Sequence, residues 1–146
     1  MKHDGIRLSP GHRRWFHITA GVLFASGAVW VVFRYGLRQP GELGDTPHPG
    51  EPWALRVHGA AAMLFLIVLG SLIRTHIMHG WNLQRNRRTG VVMITTVTVL
   101  TVTGYALYYA GGEATRPLFS TLHWVLGLGC PALLFWHIWA GRRSAR

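Results

Sequence analysis

Residues 117–141, PLFSTLHWVLGLGCPALLFWHIWAG, contain no Asp, Glu, Lys or Arg over 25 positions. A bilayer core about 30 Å thick needs roughly 20 helical residues, so this run is long enough to cross a membrane as one helix. Three similar uncharged runs precede it, at 15–33, 57–73 and 90–112. The sequence therefore predicts an all-α fold, an integral membrane four-helix bundle that forms a single domain over residues 1–146. The predicted spans are 13–36, 54–79, 90–111 and 118–141.

The charged residues indicate how this bundle is oriented. A net charge of +10 with a pI near 11.5 is typical of nucleic-acid-binding proteins, but only 14% of the residues are charged and 49% are hydrophobic. Both termini and the connection between spans two and three share one side, with eleven basic residues and one acid, while the other side has four of each. Cytoplasmic loops carry the excess of Lys and Arg. We expect cytoplasmic termini in a bacterial inner membrane, with lipid and not nucleic acid as the surrounding partner.

Histidines are the polar residues in these spans that point to a function. Of nine in the chain, six lie in or at the edge of a predicted span. Polar side chains are costly in lipid, so they tend to face the bundle interior and to have partners there. A single such histidine is explained equally well by a hydrogen bond between helices. The stronger indication comes from their pairing. The six are His17, His58, His76, His79, His123 and His137.

The fourth span carries two histidines 14 residues apart, His123 and His137. Fourteen residues are four repeats of about 3.5, so both side chains face the same neighbouring helices. Their separation along the axis is roughly 21 Å, which puts them near opposite edges of the bilayer. Gly127, one turn from His123, would let a flat macrocycle lie close to the helix. A zinc site wants about four clustered ligands, so two axial positions on each of two haem irons fit this spacing better.

Other spans supply histidines at matching depths. His58 opens the second span at the level of His123, and His17 lies near the inner end of the first span at the level of His137. This predicts two bis-histidine haems, an outer one on His58 and His123 and an inner one on His17 and His137. His76 follows His58 by 18 residues, or five helical turns, and is a rival to His17. Spacing alone leaves both open.

The stretch RRWFH at 13–17, His58-Gly59, His123-Trp124 and His137 resemble a known family. These are the four-helix, di-haem cytochrome b subunits of bacterial respiratory formate dehydrogenases and nickel–iron hydrogenases, and small stand-alone bacterial membrane cytochromes b are similarly close. The resemblance covers all four spans. Ile18 departs from it, because an aromatic residue is common at that position.

The resemblance implies a function and a ligand set. It implies two haem b groups, with His17 and not His76 on the inner iron. It also implies a quinone near the inner haem, for which Arg74, His76 and His79 are the candidates. Such a chain transfers electrons across the membrane between the quinone pool and a redox partner, a c-type cytochrome or a dehydrogenase. It is an electron-transfer subunit rather than a stand-alone enzyme.

The imidazole nitrogen that does not bind iron usually donates to an acceptor. Backbone carbonyls or threonines of the third span are the expected acceptors, although helix packing also explains those threonines. Two other functions stay open: a haem-free structural or assembly subunit of a larger membrane complex, and a small transporter. The absence of Asp and Glu from the predicted spans weakens the transporter. The threonines are Thr95, Thr96, Thr98, Thr101 and Thr103.

Overall fold

The structure is a computed structural model that describes residues 9–41, 44–84, 86–109 and 112–144. It is all-α, as predicted: across these residues the only β pairing is an isolated bridge between Gln39 and Thr46. Two π-helical segments, Val32–Gly36 and Ile73–Met78, continue the first and second helices. The α-helices are α1 Pro10–Val31, α2 Glu51–Leu72, α3 His79–Asn82, α4 Arg87–Tyr109 and α5 Arg116–Arg143.

Within the described residues, four helical stretches are long and apolar enough to cross a membrane, one for each of the expected spans. Most of the observed ends extend past the predicted ones, because residues flanking the uncharged runs also form helical turns. Ser9 caps α1 by accepting the His12 N–H at 3.3 Å, and Pro10 fits the first turn, where a backbone N–H is not needed. The stretches are Pro10–Gly36, Glu51–Asn82, Arg87–Tyr109 and Arg116–Arg143.

The chain divides between Leu72 and Ile73 into two compact units, each of which contains a helical hairpin. In the first unit α1 packs against α2, and in the second α4 packs against α5. Large apolar side chains remain exposed on these helices, for example Met63 at 70% and Phe135 at 71%. A soluble protein rarely exposes so much apolar surface, whereas lipid covers it in a membrane. The result is a chain of four long apolar helices packed in pairs, which suggests a multi-pass membrane protein.

Two local features shape the second unit. Gln84 and Asn86 have positive φ angles, 55° and 54°, and turn the chain between α3 and α4. Pro131 lies inside α5 and has no N–H to give the carbonyl of Gly127 four residues earlier. The Arg87 guanidinium closes the α3–α4 connection by donating to the Trp81 carbonyl at 2.7 and 3.0 Å. These features set where α4 begins relative to α5.

Small and hydroxyl-bearing residues occupy most of the buried positions. Among the described residues, the buried apolar ones are three alanines and Leu72, and the buried polar ones are Glu51 at 9% exposure and four hydroxyl residues at 4–8%. Small side chains allow close approach of helices in a membrane, and hydroxyls can bond to their own backbone or to a neighbouring helix. The buried hydroxyl residues are Thr19, Ser26, Thr89 and Thr103.

Candidate functional site

His58 is half-buried in α2 and is held by α1. Its Nδ1 lies 3.0 Å from the Leu23 carbonyl oxygen and 3.2 Å from the Ser26 Oγ. A carbonyl can only accept, and the Ser26 hydroxyl already donates to the Val22 carbonyl at 2.8 Å. Nδ1 of His58 must therefore carry the proton and donate it to both oxygens.

His123, half-buried in α5, makes a similar contact with α4. Its Nδ1 is 2.9 Å from the Thr103 Oγ1. That hydroxyl donates its single hydrogen to its own helix, at the Val99 carbonyl 2.7 Å away. The oxygen is left to accept, so His123 also carries its proton on Nδ1.

His137 repeats this contact at the other end of the same hairpin. Its Nδ1 is 2.9 Å from the Thr89 Oγ1, whose hydrogen goes to the Asn86 Oδ1 at 2.5 Å. The Asn86 amide nitrogen lies 3.3 Å from the same Nδ1, but it donates at 2.9 Å to the His137 carbonyl. Because the single Thr89 hydrogen is already donated to Asn86, Thr89 Oγ1 accepts at 2.9 Å from Nδ1 of His137, which is again the donor.

These three histidines therefore share one tautomer. With the proton on Nδ1, Nε2 of a neutral imidazole carries the lone pair. Histidines that ligate metal are typically held in this way, because a hydrogen bond from the distal nitrogen fixes the tautomer and the ring orientation. The arrangement is suited to binding a metal ion or haem iron through Nε2. The three are His58, His123 and His137.

A glycine follows each hydroxyl residue that holds a histidine. A Cβ added to Gly27 would lie 3.0 Å from the His58 Cε1, and one added to Gly104 would lie 3.3 Å from the His123 Cε1. The corresponding distance from Gly90 to the His137 Cε1 is 3.9 Å, which is ordinary contact. The hydroxyl accepts the ring N–H, and the next residue leaves room for the ring. The dipeptides are Ser26-Gly27, Thr103-Gly104 and Thr89-Gly90.

The two Thr-Gly dipeptides match the two histidines of the second hairpin in register. Thr89 and Thr103 are 14 residues apart on α4, and His123 and His137 are 14 residues apart on α5. The helices run in opposite directions, so Thr103 meets His123 and Thr89 meets His137. One hairpin thus presents the same histidine environment twice along its length.

Other predicted site residues have different surroundings. His76 is half-buried in the π-helical segment, and its ring centre lies 6.4 Å from that of His137. His17 is exposed, with its ring edge-on to Phe16 at 5.8 Å, and His79 and Arg74 are exposed. At Gly127 the nearest heavy atom to an added Cβ would be the Leu100 Cδ2, 4.0 Å away.

The predicted haem pairs draw one histidine from each unit. His17 and His58 belong to the first unit, and His123 and His137 to the second. Within the second unit the structure brings His76 and His137 together. Among the described residues there is no group of three or more His, Cys, Asp or Glu that could hold a metal ion on its own.

An open cleft of about 430 Å³ lies beside the His137 network. Arg87 and Arg88 line it, together with Thr89 and Asn86 of the network. The quinone candidates Arg74, His76 and His79 are not among its lining residues. The remaining lining residues are Gln84, Trp136 and Ala140.

Sequence reasoning expected the acceptors for the ring N–H but missed most of the residues involved. Thr103 was among the candidate threonines, whereas Ser26, Thr89 and the glycines were not singled out. A signal was present: Thr-Gly occurs at 89–90 and again at 103–104, with the same spacing as His123 and His137. Recognising this match requires knowing that α4 pairs with α5, and the sequence of a single span does not show which helices pair.

Across the described residues the protein is all-α, with four candidate membrane-spanning helices and with histidines that are held by hydrogen bonds between paired helices. Comparisons with known proteins add no relationship, because no family profile, no curated protein and no solved structure matches the chain.

Replacement of Thr103 by Val should leave the buried His123 N–H without its acceptor. An unsatisfied buried donor costs about 1–3 kcal/mol, so the free energy of unfolding in detergent should fall by that amount. Thr101→Val is the matched control, because Thr101 is exposed and its hydroxyl bonds to the Val97 carbonyl of its own helix at 2.8 Å. Equal stability losses in the two variants, measured by thermal unfolding, would contradict the role of Thr103.

Proposed function

We propose that the chain is a membrane b-type cytochrome that binds two haems and carries electrons between the quinone pool and a redox partner. The observation that carries this proposal is the tautomer shared by His58, His123 and His137. Each donates from Nδ1 to an acceptor on the paired helix, which leaves the Nε2 lone pair suited to an axial bond to iron.

The residues present fit two haem groups. His58 and His123 would hold the outer haem, and His137 the inner one, with either His17, which the family resemblance implies, or His76 as its second ligand. Iron held between two imidazoles supplies reversible one-electron transfer when the haem is bound. The three imidazoles are half-buried, and Gly27 and Gly104 let the rings of His58 and His123 lie close to the paired helix.

The protein's own residues would tune this site. The hydroxyl and carbonyl acceptors fix the tautomer and the orientation of each imidazole and increase its basicity as a ligand. The apolar helices limit access of water, which affects redox potential. At His137 the Thr89 hydroxyl accepts the ring N–H and donates in turn to the Asn86 side chain, so two residues hold this ring in place.

The redox partners are those that the family resemblance implies. A c-type cytochrome or a dehydrogenase subunit would exchange electrons with the protein at one membrane face, and a quinone at the other. The cleft beside His137 has hydrogen-bond donors suited to the carbonyl oxygens of a quinone, on Arg87, Arg88 and the amide of Asn86. This makes the cleft a second quinone candidate beside Arg74, His76 and His79.

A haem-free structural or assembly subunit is the alternative. It is favoured by one observation, since the histidine–hydroxyl bonds join α1 to α2 and α4 to α5 and would stabilise both hairpins without a cofactor. Haem binding separates the two functions.

The chain purified from a membrane with haem supplied should contain two b-type haems per chain, measured by reduced-minus-oxidised spectra and the pyridine haemochrome. His58→Ala and His123→Ala should each remove the same haem, because they share one iron, and His137→Ala should remove the other. A wild-type chain with no haem, or histidine variants that all keep two haems, would reject the proposal.

The glycine next to Ser26 offers a test of the same site without removal of a ligand. Gly27→Ala puts a methyl group 3.0 Å from the His58 ring, which is held by two acceptors and cannot turn away without losing them. We expect the outer haem to be lost or loosely bound. Gly90→Ala is the control, because its methyl would sit at an ordinary 3.9 Å from His137, and the spectrum should be unchanged. Equal effects from both variants would argue against a tight His58 site.

The proposed orientation places both termini in the cytoplasm of a bacterial inner membrane. A green fluorescent protein fused after Arg146 should fluoresce, whereas alkaline phosphatase inserted in the loop between the first two spans should be active. The opposite pattern would mean that the charge distribution does not set the topology.

A further inference from the structure

The rings of His76 and His137 lie close together inside the second unit. Their ring centres are 6.4 Å apart and the ring planes are inclined by 75°. Both rings are half-buried. This approach occurs although His76 lies on the second span and His137 on the fourth.

The separation matches the spacing of two imidazoles on one iron. A bond from a metal ion to a histidine nitrogen is about 2.0–2.1 Å long, and a ring nitrogen lies roughly 1 Å from the ring centre. Two such bonds in line therefore put the ring centres about 6 Å apart. The observed distance of 6.4 Å between the ring centres is close to this value.

The Nδ1 of His76 is buried and has no hydrogen-bond partner among the described residues. A buried polar atom without a partner costs about 1–3 kcal/mol, and structures rarely keep one without a function. Since His137 already has its tautomer fixed by Thr89, the unsatisfied member of the pair is His76. No hydrogen bond at Nδ1 fixes the tautomer of His76, so either ring nitrogen is available to a metal ion, and a metal ion bound at Nδ1 would satisfy that atom.

The backbone at His76 is also irregular. The α-helix changes at Ile73 to a π-helical segment that ends at Met78, and His76 lies within it. π-helical turns in longer helices occur frequently at functional sites, because the additional residue in the turn changes where side chains point. The prediction that His76 faces the same side as His58, 18 residues earlier, assumed regular α-helical turns. Because the π-helical segment breaks that regularity, the spacing does not define the direction of the His76 side chain.

We propose that His76, and not His17, is the second axial ligand of the iron bound by His137. This rests on the proposed function, because it names a ligand of one of the two haems. His17 belongs to the first unit, where it is exposed and its described contact is with the ring of the adjacent Phe16. His76 is half-buried and its ring lies against His137.

This assignment separates two roles among the helices. The second and fourth spans supply all four ligands, His58 and His76 from one and His123 and His137 from the other. The first and third spans supply the acceptors for His58, His123 and His137. Each ligand-bearing span is therefore paired with a span that supplies hydrogen-bond acceptors.

The test compares His76→Ala with His17→Ala in the full-length chain purified with haem. His76→Ala should halve the haem-to-protein ratio or convert one low-spin haem to a high-spin form, seen by electron paramagnetic resonance. His17→Ala should keep two low-spin haems. His12→Ala is the control, since His12 is exposed, bonds to the Ser9 hydroxyl and has no part in the proposed site, so this variant should also keep both haems.

A second pair of variants covers the case in which His76→Ala does not fold. Imidazole added to His76→Gly should restore the low-spin signal, because free imidazole can occupy the position of the missing ring. His76→Met should keep the iron six-coordinate but raise its potential, as expected when a thioether replaces an imidazole.

The outcomes separate this inference from the proposed function. Loss of one haem in His17→Ala with two low-spin haems in His76→Ala would overturn the assignment but leave a di-haem protein. Failure of imidazole to restore His76→Gly, with an unchanged potential in His76→Met, would overturn it as well. A wild-type chain without haem would overturn both proposals.

Discussion

An imidazole between apolar helices must give its N–H to an acceptor, because lipid offers none. For His58, His123 and His137 the acceptor comes from the paired helix, and the hydrogen of each accepting hydroxyl is already bonded elsewhere. That arrangement fixes three features together: which helices pair, which tautomer the histidine adopts, and where its lone pair lies. Helix packing and the proposed ligand chemistry therefore depend on the same few bonds.

The four spans were predictable because their signal is local. A run of uncharged residues of sufficient length needs no knowledge of the neighbours, and 117–141 lies within the observed Arg116–Arg143. The ends were less predictable, since Ser9 and Pro10 start α1 before its flanking arginines. Capping preferences at Ser9 and Pro10 predict the earlier start of α1, but a prediction from hydropathy alone does not include capping.

The histidine environments were only partly predictable. The need for an acceptor follows from chemistry, and Thr103 was among the expected threonines. Ser26 and the glycines depend on which helix faces which, a property of the folded hairpin that periodicity within one span does not contain. The direction of His76 depends on a π-helical segment, and a search based on 3.6 residues per turn assumes that no such segment exists.

The repeated Thr-Gly register along α4 and α5 has a consequence for how this hairpin can change in evolution. Because both contacts use a spacing of 14 residues, one inserted residue between Gly90 and Thr103 would leave only one of them aligned. A deletion in α5 alone would have the same effect. An insertion or deletion between the two contacts keeps both of them only when α4 and α5 change by the same number of residues. The distance between the two histidine sites therefore changes only when both helices change in length.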